Sequence, residues 1–89
     1  MSKDEFNQIV NEGILRGKNF MFVSVETEGA PAPEIVVNHS ANFDRKIKHY
    51  NGKYNDDMEL IKAKECGKIV RVTDVLMTSN LNDMSWFAY

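Results

Sequence analysis

Cysteine is nearly absent from this chain of 89 residues, since Cys66 is the only one. One cysteine excludes an intrachain disulfide and any metal site built from several thiolates. Secreted domains of this size usually carry disulfides, because their hydrophobic cores are small. The sequence therefore predicts a protein of a reducing compartment, the cytoplasm.

Long apolar runs are missing as well. No stretch approaches the roughly 20 apolar residues that a membrane-spanning helix needs. Residues 1–5 lack the basic and then apolar order of a signal peptide. We therefore expect a protein that makes no contact with a membrane.

Signatures of catalysis and metal binding are also lacking. His39, Ser40, Asp44 and His49 lie close together, but Ser40 lacks the context of a nucleophile and suits a helix cap equally well. The acids at 56–59 lack the spacing of a calcium loop, and the two histidines lack zinc spacing. We therefore predict a protein that is not an enzyme and has neither a metal ion nor a cofactor.

What the chain does contain is ordinary for a folded protein. Hydrophobic residues make up 43% and charged residues 27%, which is far from the composition of a disordered chain. Two separate cores would each be too small to fold well alone at this length. We therefore expect a single domain over residues 1–89.

Residue patterns predict a helix, two strands, a second helical region and a third strand. Ser2 and Glu5 form a capping box for the first helix, which a glycine at position 17 ends. The strands are predicted at 20–25, 34–38 and 68–78, the first of them central because both of its faces are apolar. Residues 42–66 form one helix or two, with a bend near Gly52. The fold class is thus α+β, with a small, mostly antiparallel sheet of three to four strands and helices on one face.

The second helical region carries a basic face. Although the net charge is −2, acids outnumber bases in residues 1–43, and bases outnumber acids in residues 44–71. This face is a candidate site for a partner, with solvent, an acidic protein or anionic ligand, and nucleic acid as open alternatives. An isoelectric point near 5.6 and the lack of a known motif make nucleic acid the least favoured. The residues are Arg45, Lys46, Lys48, His49 and Lys53.

The turn before this helix is a candidate site for a small ligand. It joins a strand end to a helix N-terminus, where free backbone N–H groups favour anions. Its polar side chains serve equally well as helix caps. The candidate residues are Asn38, His39, Ser40, Asn42 and Arg45.

The C-terminal residues are unusually aromatic. Chain ends are usually polar and frayed, yet Trp86, Phe87 and Tyr89 lie together here. They are therefore expected to pack either on their own domain or on a second copy. The second arrangement would give a homodimer or a small homo-oligomer.

Three blocks in the central part of the chain form a recognisable pattern, namely Pro31–Asn38, Asn42–Tyr50 and Tyr54–Met58. Over about residues 20–77, this pattern resembles small proteins of bacteriophages and prophages of Gram-positive bacteria. It carries no functional residue, but it implies a phage accessory protein in the cytoplasm of a host cell. Such proteins often bind and block a host factor, including nucleases and signalling proteins of host defence.

Together these features predict a non-enzymatic accessory protein that binds and modulates a host or phage protein, with host defence systems among the targets. Two alternatives remain open. The first is a sponge that captures an anionic, nucleotide-like molecule at the turn before the second helix, and the second is a nucleic-acid-binding module.

Overall fold

The computed structural model describes residues 1–87 and shows an α+β chain, as predicted. The elements are α1 (Lys3–Leu15), β1 (Phe20–Thr27), β2 (Glu34–His39), α2 (Phe43–Lys53), α3 (Ile61–Glu65), β3 (Val70–Thr78) and α4 (Met84–Phe87). Short 3-10 turns at Ser40–Asn42 and Leu81–Asp83 lead into α2 and α4. The predicted order of helix, strand, strand, helix, strand is confirmed. None of the helices in this range is long and apolar enough to cross a membrane.

The sheet has three antiparallel strands in the order β2-β1-β3, so β1 is central as predicted. A β-bulge in β3 opposite Ser24 and Val25 shifts the register between β1 and β3. A short segment at residues 58–60 lies along the first half of β3. Its Leu60 donates a backbone hydrogen bond of 2.7 Å to Val70, and Val72 donates one of 2.9 Å to Met58. In the described residues, this segment is all that corresponds to a fourth strand.

The main core lies between α1, α2 and one face of the sheet, which we call the front face. Successive side chains of a strand point to opposite faces, so Met21, Val23 and Val25 of β1 share the front face. They pack with buried residues of both helices and of β3. Those residues include Phe6, Val10, Phe43, Tyr50, Val72, Val75 and Met77.

The opposite face of the sheet, the back face, contacts the C-terminal turn. Phe22 of β1 is fully buried there, and its ring centroid lies 6.1 Å from that of Phe87 in α4. The expectation that the helices pack on one face thus holds for α1 and α2 but not for α4. The sequence reasoning treated the aromatic end as a tail and assigned it no place on the sheet.

The helical region predicted at 42–66 forms two helices with an irregular segment between them. Asn55 closes a tight loop, because its side-chain oxygen accepts the N–H groups of Asp57 and Glu59 at 3.0 and 2.9 Å. Met58 has a positive φ of 60° and is fully buried. In the sequence, apolar residues recur every three or four positions from Phe43 to Met58, which is typical of one helical face. Beyond Lys53, this spacing reflects burial in a loop and not a helical face.

Candidate partner-binding surface

One side of α2 faces the core and the other faces solvent. Phe43 and Tyr50 are buried, and Ile47 between them is half-buried. Their spacing of four and three residues places them on one helical stripe. The remaining side chains of α2 are consequently directed away from the core or along its margin.

Side chains of α1 fix the C-terminal end of α2. The Lys3 ammonium donates hydrogen bonds of 2.9 and 2.6 Å to the backbone carbonyls of Asn51 and Tyr54. A cation at this position satisfies carbonyls that the end of a helix leaves without partners. The side-chain amides of Asn7 and Asn51 pair reciprocally at 2.8 and 2.9 Å, and the rings of Phe6 and Tyr50 lie 5.2 Å apart. The solvent side of α2 is therefore presented by a firmly anchored helix.

That solvent side carries the predicted cations, which we call the basic surface. Its members are Arg45, Lys46, Lys48, His49 and Lys53, and all are exposed except the half-buried Lys46. Arg45 donates to the side chain of Asn42 at 3.2 Å. The ion pairs within residues 1–87 join other side chains, namely Arg16 with Glu12, Lys64 with Glu59, and Arg71 with Glu26. The basic surface thus has no carboxylate partner in the described part of the chain.

His49 adds an aromatic group to this surface. Its ring centroid lies 5.2 Å from that of Tyr50 and 6.0 Å from that of Tyr54. Partial burial, and then the charges of Lys46 and Lys53, lower the pKa of His49 below 6.5, so the imidazole is neutral at pH 7. Burial raises the pKa of Tyr50 to about 12, which keeps its phenol neutral too. The arrangement is a neutral aromatic cluster within a group of lysines and an arginine.

The five residues predicted to bind a small ligand make hydrogen bonds within the protein. The Asn38 side chain is buried and donates to the Met21 carbonyl at 3.3 Å. His39 Nδ1 accepts the backbone N–H of Ala41 at 3.2 Å, and the N–H of Ser40 binds the Asn19 carbonyl at 2.8 Å. These groups are engaged within the protein. Of the expected caps, His39 caps the 3-10 turn, whereas Asn42 makes no side-chain capping bond to α2.

A shallow depression of about 340 Å³ lies beside this turn. Ser40 lines it, and a lysine and an aspartate contribute opposite charges to its wall. The lining residues are Ile14, Gly17, Lys18, Asn19, Ser40, Phe43 and Asp44. Such a wall does not favour an anion in particular.

The C-terminal aromatic residues differ in their surroundings. Phe87 is half-buried against Phe22, whereas Trp86 is 58% exposed. Asp83 holds the turn in place, because its carboxylate accepts the Thr78 hydroxyl at 2.6 Å and the Trp86 indole N–H at 3.1 Å. Tyr89, the third predicted oligomer contact, lies outside the described residues.

Acidification is expected to release this turn. Hydrogen bonds from Thr78 and Trp86 lower the pKa of Asp83 below its ordinary value of 3.8. The ionised carboxylate therefore stabilises the turn fully above pH 3.8, and this stabilisation is lost as the pH falls through the lowered pKa. Trp86 is the only tryptophan, so its fluorescence reports the change directly. Asp83→Asn should alter the emission at pH 7 and remove the acid transition. Asp56→Asn, at an exposed carboxylate, serves as the control, and an identical acid transition in Asp83→Asn would contradict the assignment.

The residues that anchor α2 were missed by sequence reasoning. Lys3 lies in the first turn of α1, where acids are the favoured residues, and Asn51 lies next to a glycine. Their partners are 44 to 51 positions away in the chain, so no local pattern marks them. Within residues 1–87, no group of three or more His, Cys, Asp or Glu side chains is placed to hold a metal ion.

Comparison with known proteins adds no relative to this description: no family model matches the chain, and no similar curated protein or solved structure was found.

Proposed function

We infer that this chain is a non-enzymatic binding protein, and that the basic surface of α2 contacts an acidic face of a partner protein. The observation that carries the inference is a firmly anchored helix whose exposed cations have no carboxylate partner in the described residues. Charges arranged in this way steer a partner of opposite charge and fix its orientation.

The proposed nature of the partner rests on the resemblance of the sequence to small phage proteins. It favours an accessory protein that acts in the cytoplasm of a bacterial host and modulates or inhibits a host protein. Components of host defence are among the targets that such proteins block. The comparisons offer no relative that would narrow this choice.

A protein partner is favoured over nucleic acid for electrostatic reasons. A nucleic-acid-binding protein neutralises several phosphates with a wide basic area. Here the cations of the basic surface lie on a single helix, and the chain as a whole carries a net charge of −2. Capture of a nucleotide has less support, because the polar groups of the turn before α2 already make hydrogen bonds within the protein.

Reversal of charge on the basic surface is the direct test. The variant Arg45→Glu with Lys48→Glu should lower recovery of the partner from host lysate by at least about tenfold, since each lost charge pair weakens binding and each glutamate repels the acidic face. Quantitative mass spectrometry of affinity-captured proteins measures the recovery. Far-UV circular dichroism establishes that the variant is folded.

The matched control is Lys62→Glu with Lys68→Glu. These lysines are also exposed and free of ion pairs in the described residues, and the change in net charge is the same. The control should bind as the unmodified protein does. An equal loss of partner recovery in both double variants would show that only the net charge of the chain matters. Release of the captured partner by nuclease treatment would identify the partner as nucleic acid. Either result would refute the proposal.

A further inference from the structure

The outer edge of β2 has free backbone groups. The N–H of Ser40 donates to the Asn19 carbonyl at 2.8 Å, in the same register that pairs Phe20 with His39. Hydrogen-bonded and non-hydrogen-bonded pairs alternate along antiparallel strands. Asn38, Val36 and Glu34 are therefore bonded to β1. The backbone N–H and C=O groups of Ile35 and Val37 point away from β1, and so does the N–H of His39. The carbonyl of His39 instead begins the 3-10 turn Ser40–Asn42.

This edge has few of the features that prevent one strand from pairing with another. Natural proteins protect edge strands with lysines, bulges or covering segments. β2 has no lysine, its register with β1 has no shift, and it pairs with no other strand among the described residues. Val37 at its centre is 41% exposed on the back face.

The other edge of the sheet is better protected. Residues 58–60 cover the first half of β3 through the backbone bonds of Met58 and Leu60. Further along, the Asp74 carboxylate accepts the N–H of Val75 at 2.8 Å. A β2 strand from another copy therefore meets fewer free groups on β3 than on a second β2. Pairing of like edges gives a closed dimer and not a filament.

The sequence of β2 favours one register for such pairing. With Val37 opposite Val37 of the second copy, Ile35 lies opposite His39. The Val37 pair can exchange both of its backbone hydrogen bonds, and the N–H of each His39 can donate to the Ile35 carbonyl of the other copy. A shift of the strands that places Ile35 opposite Val37 brings Pro33 opposite His39. Proline has no N–H to donate, so that register loses bonds. The Val37-centred register also places no two like charges opposite each other.

We propose that two copies of this chain associate through β2 in an antiparallel arrangement centred on Val37. The two sheets become one continuous sheet, and its two-fold axis runs perpendicular to it. Both front faces then lie on the same side, so the dimer presents both basic surfaces in one direction. This contact differs from the C-terminal aromatic residues that the sequence suggested, and it does not depend on the proposed function.

The dimer should dissociate at low concentration. One pair of strands buries less than the roughly 1,200–2,000 Å² of stable complexes, so a dissociation constant on the order of micromolar is expected. Sedimentation velocity over a concentration series measures it. Val37→Pro removes only an outward-facing N–H and leaves the bonds to β1 intact, so it should yield a monomer at every concentration. Val37→Thr keeps the N–H and nearly the same side-chain shape, and it should dimerise as the unmodified chain does.

Disulfide cross-linking tests the register in a Cys66→Ser background, because Cys66 is exposed. Opposed residues in a hydrogen-bonded pair have Cα atoms about 5.5 Å apart, within disulfide range. Val37→Cys should therefore form a covalent dimer with itself. Ile35→Cys should cross-link with His39→Cys in a mixture and far less with itself. An unmodified chain that is monomeric throughout the series, or dimerisation that Val37→Pro leaves unchanged, would overturn the proposal.

Discussion

Gly13→Ala is expected to destabilise the protein, although alanine is the better helix former. Gly13 is buried in α1 where the helix crosses β3, and an added Cβ would lie 2.3 Å from the Cβ of Met77. Atoms so close to the backbone cannot move aside without a shift of the helix or the strand. Overpacking of this kind costs about 1–3 kcal/mol or more. A loss of 1 kcal/mol in the free energy of unfolding lowers the Tm of a domain of this size by roughly 4–8 °C. Thermal unfolding should therefore show a clear fall in Tm.

Gly52→Ala provides the matched control in the other long helix. Gly52 is exposed in α2, and an added Cβ there meets no atom within 4 Å. That substitution should raise the free energy of unfolding by about 0.5–1 kcal/mol, because alanine loses less backbone entropy than glycine. The two glycines are thus expected to respond with opposite signs. A Gly13→Ala variant as stable as Gly52→Ala would mean that α1 does not lie this close to β3.

The difference between these glycines shows where sequence reasoning reached its limit. The cap at Ser2 was predictable, because its partner Glu5 is three residues away, and the side chain does accept the Glu5 N–H at 3.1 Å. Gly13 carries no comparable local signal. Its partner is Met77 in the last strand, and only the assembled fold brings the two together.

Sequence reasoning did not show that Met58 lies in a loop and not on a helix, and the physical reason is different from that at Gly13. Spacing alone cannot distinguish a buried residue on a helical face from a buried residue in a loop. Asn55 decides the outcome here, since its side chain replaces the helical hydrogen bonds with those of a tight loop. The C-terminal turn was uncertain for a similar reason, because the sequence shows that Trp86 and Phe87 are apolar but not which face of the sheet they meet.

The basic surface was easier to anticipate than its support. The cations follow from local periodicity, because Phe43, Ile47 and Tyr50 mark the inward stripe of α2 and leave Arg45 and Lys48 outside it. The anchoring of α2 by α1 depends on contacts between distant segments. Those contacts hold α2, and with it the basic surface, against α1.

Phe6→Ala is expected to cause a large loss of stability and to disturb the placement of α2. Phe6 is fully buried, and its ring packs against Tyr50 with centroids 5.2 Å apart. Removal of a buried phenylalanine costs about 3–5 kcal/mol, from lost burial and from the cavity left behind. The total free energy of unfolding of a small domain is only about 5–15 kcal/mol. Urea denaturation should therefore show a midpoint reduced by a large fraction, and Phe6→Leu should lose much less.

Phe22→Ala separates a general loss of stability from a specific loss of support for α2. Phe22 is equally buried, but it lies on the back face against Phe87. Both alanine variants should lose similar stability, and an osmolyte that strengthens burial can keep both folded. Hydrogen exchange of backbone amides should then accelerate in Phe43–Lys53 for Phe6→Ala, and in Met84–Phe87 for Phe22→Ala. Equal exchange in α2 for both variants would show that α1 does not hold the basic surface in place.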